Sequence, residues 1–150
     1  VSDPLDYGAD QGKQQALAEL GRIGACIGKY DETTIHVEMT PAYGHVPIGD
    51  AELPLVVDCV NALGNVRGLD LGETAITDAS APHFARLQNV TFLCLNGTLV
   101  TDRCVPFLQS VGGLKELVLS GTRISDSAVD PLLEMSELTF LQLYGTQMTP

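Results

Sequence analysis

Tryptophan is absent from this 150-residue chain and aromatic residues make up only 5% of it, so its core has to be aliphatic. Basic residues are scarce: 8 lysines and arginines stand against 19 carboxylates, a net charge of −11. A surface of that sign is not expected to hold nucleic acid or an anionic membrane through a basic patch; it reads first as a solvated acidic surface and leaves room for cationic partners. Long apolar runs are missing as well. The longest, Leu53–Val57, is core-sized and far short of the ~20 residues of a membrane span, so no membrane insertion is expected. The four cysteines, Cys26, Cys59, Cys94 and Cys104, include no C-x-x-C pair, which removes the usual zinc spacing. They read as reduced, small side chains without disulfides. The glycines around Gly64 and Gly68 lack the pattern of a phosphate-binding loop, and no cofactor is implied.

What the chain does have is 45% apolar residues and a self-similarity of 24 residues. Leu69, Leu93, Leu117 and Leu141 form one column, and Leu71, Leu95, Leu119 and Leu143 the next. Thr74, Thr98, Thr122 and Thr146 form a third, followed by Ile76, Val100, Ile124 and Met148, and by Asp78, Asp102 and Asp126. The Leu-x-Leu core has the period of a strand, with both leucines facing inward. Behind each Asp, apolar residues recur at helical spacing, as in Val105, Leu108 and Val111, or Val129, Leu132 and Leu133. The aspartates read as helix N-caps. The threonine hydroxyls read as a ladder that satisfies amides in the turns. One such unit cannot bury its apolar face alone, whereas a parallel stack converts the faces into a continuous core.

The stretches LDLGETAITD (69–78), LCLNGTLVTD (93–102) and LVLSGTRISD (117–126) resemble the leucine-rich-repeat family. The likeness is to short bacterial proteins with units of the form L-x-L-x-x-T-x-I-T-D. LQLYGTQMTP (141–150) departs at its last residue. The resemblance runs from Val66 to Pro150, and Thr stands where the family usually has Asn. It implies an α/β solenoid with a parallel sheet on the concave side and short helices on the convex side. It also implies protein recognition on the concave face, without identifying a partner, and no enzyme is expected.

The chain is expected to be a single domain, with residues 1–9 a leader and residues 10–32 an N-terminal cap made of a helix and a hairpin. Residues 33–65 read as a degenerate first repeat and residues 66–150 as four repeats, the last incomplete. Ala16, Leu17, Leu20 and Ile23 lie on one face of the cap helix. In the first repeat, Ile35, Val37 and Thr40 match the spacing of Leu69, Leu71 and Thr74, and Ile48-Gly49-Asp50 matches Ile76-Thr77-Asp78.

On that register one outward row reads His36, Asp70, Cys94, Val118, Gln142, and a second reads Thr34, Gly68, Phe92, Glu116, Phe140. A third reads Glu38, Gly72, Asn96, Ser120, Tyr144. Phe92, Val118, Phe140 and Tyr144 thus form an exposed apolar patch, the usual mark of a contact site, flanked by Asp70 and Glu116. The expected partner is a protein with basic groups at its rim. His36, Asp70 and Cys94 are the residue types of a nucleophilic triad, but the acid lies between the other two, leaving His36 and Cys94 ~9–10 Å apart. They carry no expected catalytic or metal role. Cys94 is expected to be the most reactive thiol, and His45 and His83 to lie on the surface. The uncovered strand Leu141–Leu143 leaves a second reading, a homodimer through the C-terminal edge.

Overall fold

The computed structural model describes residue 3, residues 5–41 and residues 47–149; His45 and Pro150 lie outside them. Helix α1 (Gln11–Arg22) starts at Asp10, whose carboxylate accepts from the amide of Lys13. Ala16 and Leu20 on its inner face are buried, with Leu17 and Ile23 packed beside them. Strands β1 (Cys26–Lys29) and β2 (Ile35–Glu38) pair antiparallel. At their turn Asp31 accepts from the amides of Thr33 and Thr34.

Helix α2 (Leu53–Leu63) then packs against α1, burying Leu53, Val56, Val57, Val60 and Leu63. Strand–helix units follow: β3 (Val66–Asp70) with α3 (Ala81–Phe84), β4 (Phe92–Cys94) with α4 (Val105–Gln109), and β5 (Glu116–Val118) with α5 (Val129–Leu133). β6 (Phe140–Gln142) comes last. The six strands form one sheet in chain order, and β2 to β6 run parallel. The helices pack on each other in the same order behind it. Leu69, Leu93, Leu117 and Leu141 are successive partners across the sheet, so the leucine columns become one aliphatic core. Phe84 is its one fully buried phenylalanine.

The register of β2 differs from the one its spacing suggests. Val37, not Ile35, stands beside Leu69, and Glu38 stands beside Asp70. Ile35 pairs with Val66 instead, and the register shifts between Ile35 and His36. Spacing alone could not decide this, because a two-residue slide keeps the same side chains facing inward. Ile48 lies where the pattern puts it: its carbonyl accepts from Ala75, as that of Ile76 accepts from Leu99.

Two other expectations change. The threonine column is not a ladder between units. Thr74, Thr98 and Thr122 are buried, and each hydroxyl donates within its own turn, to the carbonyls of Leu71, Leu95 and Leu119. Val129 and Leu133 do not turn into the core. They are 40% and 77% exposed, and only Leu132 of that helix is buried.

Candidate functional site

The corrected register redraws the outward rows. One row is Gly28, His36, Gly68, Phe92, Glu116, Phe140. The next is Cys26, Glu38, Asp70, Cys94, Val118, Gln142. His36, Asp70 and Cys94 are therefore not in line. His36 lies in the row of the phenylalanines, and its ring centroid is 5.8 Å from that of Phe92, at a tilt of 45°. Gly68 makes this contact possible: a Cβ there would fall 2.2 Å from the imidazole Nδ1 of His36. A side chain at position 68 would separate the two rings.

Of the six residues expected to form the partner site, Phe140 and Tyr144 are exposed, by 48% and 84%. Phe92, Val118, Asp70 and Glu116 are half-buried. Glu116 sits between Phe92 and Phe140, and Val118 is the neighbour of Cys94. Cys94 itself is only 5% exposed, against the expectation that it would be the accessible thiol. Its sulfur lies 2.8 Å from the Asn96 Oδ1, and burial pushes its pKa up to about 12. The exposed cysteine is Cys26, at the edge strand of the same row.

Glu73 is the residue that sequence reasoning passed over. It follows β3 with φ +56°, while Gly97, Gly121 and Gly145 hold the same turn position in the later units at φ +66°, +68° and +69°. A non-glycine residue in that left-handed region is uncommon and strained. Its carboxylate accepts from the Asn96 side-chain amide at 3.0 Å and folds over Gly97. Beside it the Asp70 carboxylate accepts from the amide of Gly72. The signal was in the sequence: Gly72-Glu73 reverses the X-Gly order of Asn96-Gly97, Ser120-Gly121 and Tyr144-Gly145.

The rows are held level by a ladder on the far side of each turn. Thr77 donates its hydroxyl to Asp50 at 2.6 Å and its amide to the same carboxylate at 2.9 Å. Thr101 does the same to Asp78, at 2.6 and 2.8 Å. Ser125 repeats it on Asp102, and Thr149 on Asp126. The aspartates are thus links between units, not N-caps. The N-caps are Thr77, Thr101 and Ser125, whose hydroxyl oxygens accept from Ala79, Arg103 and Ser127. The Asp50 carboxyl sits below its ordinary pKa: burial alone would raise it, but the hydrogen bonds from Ser80 and Thr77 outweigh that. Asp126 is lowered by the bonds from Thr149. A parallel strand, a turn and a short helix recur in register, with an Asp-to-Thr or Asp-to-Ser link at each step.

The fold is a solenoid of strand–turn–helix repeats, stacked through their inward leucines. Neither a protein-family model nor a curated protein sequence matches the chain. Among solved structures, an internalin from Listeria monocytogenes is similar over 65% of this chain and 38% of its own, with 15% identity and a TM-score of 0.42. The structure of a pollen receptor kinase 3 is similar over 98% of this chain and 61% of its own, with 16% identity and a TM-score of 0.49. The solenoid therefore spans less than two thirds of the length of either. Among the described residues, no group of three or more His, Cys, Asp or Glu side chains is placed to hold a metal ion. No described helix is long and apolar enough to cross a membrane.

Proposed function

We propose that this solenoid is a protein-recognition module that receives its partner on the sheet face. The observation that carries the reading is the set of apolar side chains facing out of β4 to β6. Phe92, Val118 and Phe140 occupy adjacent strands, and Tyr144 stands just beyond β6. Aromatic groups exposed on a rigid sheet lose little conformational freedom on contact, which makes them efficient anchors. Asp70 stands to one side of the group and Glu116 between its two phenylalanines, and both favour a partner with basic groups, whose approach they speed more than they add affinity. The arrangement requires no chemistry of its own. Affinity capture from the source cell, with the wild-type chain and a Phe92→Ala/Phe140→Ala double variant as parallel baits, tests this. The expected result is a partner held by the first and lost by the second, with both baits folded. Equal capture by both would place the site elsewhere.

A second reading, self-association through the C-terminal edge, has its own observation. Beyond β5 the apolar groups Val129, Leu133, Leu141 and Met148 line an open pocket of about 180 Å³ at the end of the stack. The two readings respond oppositely to salt. The residues after Arg123 include four acids, Asp126, Asp130, Glu134 and Glu137, and no base. Self-association of such ends strengthens as salt screens their repulsion, whereas capture of a basic partner weakens. Light scattering across a salt series tests the second reading; a monomer at high micromolar concentration in every buffer would remove it.

A further inference from the structure

The outward rows are not uniform along the stack. On β2 and β3 they present Glu38, Asp70 and the imidazole of His36, with Gly68 offering no side chain. Glu73, exposed just past β3, adds a third carboxylate. On β4 to β6 they present Phe92, Val118, Phe140 and then Tyr144, with Glu116 the one charge. No lysine or arginine occurs in the two rows or in the row of Gly72, Asn96, Ser120 and Tyr144 that continues them. Acid and apolar surface meet at the His36–Phe92 ring contact, where Gly68 leaves the path flat.

We propose that the occupant of this face is an extended polypeptide segment crossing the strands, basic at the end that lies on β2 and β3 and aromatic or aliphatic at the end that lies on β4 to β6. The proposal rests on the sheet-face reading and names the chemistry of the partner. Charge complementarity fixes which end lies where, because a basic end has no carboxylate to meet on β6 and an apolar end finds no apolar side chain on β2. The span fixes the length. Strands in a sheet lie ~4.8 Å apart, so β2 to β6 covers ~19 Å, which an extended chain crosses in about six residues. Glu73 is a specificity-determining residue here: Asn96 pins its carboxylate in a turn that the other units build with glycine.

The test uses a fluorescein-labelled peptide with three arginines at one end and two phenylalanines and a leucine at the other, together with its reversed sequence. Binding to the full chain is followed by anisotropy across a salt series. The expected result is saturable binding of at least one of the two peptides that weakens with salt. Glu38→Gln with Glu73→Gly lowers the affinity tenfold or more and flattens the salt dependence. Glu73→Gly can take the left-handed turn without strain, so this variant stays folded, which circular dichroism checks. Phe92→Ala with Phe140→Ala also lowers the affinity tenfold or more, but keeps the salt dependence. A control peptide with glutamines for the arginines overturns the proposed chemistry if it binds wild type equally well, and leaves the sheet-face reading standing. Binding undiminished by both double variants overturns the proposal and the sheet-face reading together. Absence of saturable binding by any peptide overturns the proposal, as does a mass that doubles with concentration without responding to peptide, which would identify a second copy as the occupant.

Discussion

Cys104 shares a fully buried column with Ser80 and Ala128, as the small size of all three suggests. Cys94 points out of the core yet is covered, because Asp70 and Val118 stand on either side of it and Asn96 reaches back to its sulfur. Exposure on a sheet depends on the neighbours' bulk, and strand alternation does not report that. Burial pushes the thiols of Cys94 and Cys104 up to about 12 and raises that of Cys59. A maleimide at neutral pH is therefore expected to modify Cys26 first, with the other three slow until the chain unfolds. Mass spectrometry of a time course reads the order, and modification of Cys94 at the pace of Cys26 would contradict the packing around Asn96.

Each strand–turn–helix unit is closed by one kind of bond and joined to the next by another. Thr98 closes its own turn through the carbonyl of Leu95 at 2.7 Å. Asp102 reaches into the following unit, taking both the amide and the hydroxyl of Ser125. Thr98→Val is expected to cost about 1 kcal/mol, one neutral hydrogen bond. Asp102→Ala is expected to cost about 2 kcal/mol, because two bonds to a charged acceptor go together. Urea denaturation measures both, and a larger loss for Thr98→Val would reverse the roles given to the two columns. The columns themselves were legible in the sequence. Their partners were not, since a hydroxyl three residues from a carbonyl and a carboxylate one unit away both look like turn chemistry until the stack sets the distances.

Taken whole, the molecule is a one-dimensional stack whose stability comes from links between successive units. Several of those links and caps depend on ionised carboxylates. Asp50 and Asp126 are held below their ordinary pKa, and Asp31 is brought to about 2, first by the Thr33 amide. A depressed folded pKa contributes stability that is full above the unfolded value, about 3.9 for Asp, and is lost as pH falls through the folded one. Stability is thus expected to hold from neutral pH to about pH 4 and to decline below it. Urea midpoints between pH 7 and pH 2.5 follow the decline, and an unchanged midpoint at pH 3 would mean that the ladder contributes little.

The repeat by itself determined the architecture and the inward leucines. Those follow from periodicity, and periodicity is a property of the chain. Three things were decided only by the folded molecule. Register between β2 and β3 came from packing, because a shift of two residues leaves the apolar pattern intact. The cover over Cys94 and the ring contact across Gly68 came from side chains on different strands, brought together by that register. The exposure of the outward side chains came last, with Tyr144 84% exposed and Phe92 half-buried, because it depends on which residues stand side by side. Spacing along one strand carries no information about the neighbour's alignment, and only the closed stack supplies it.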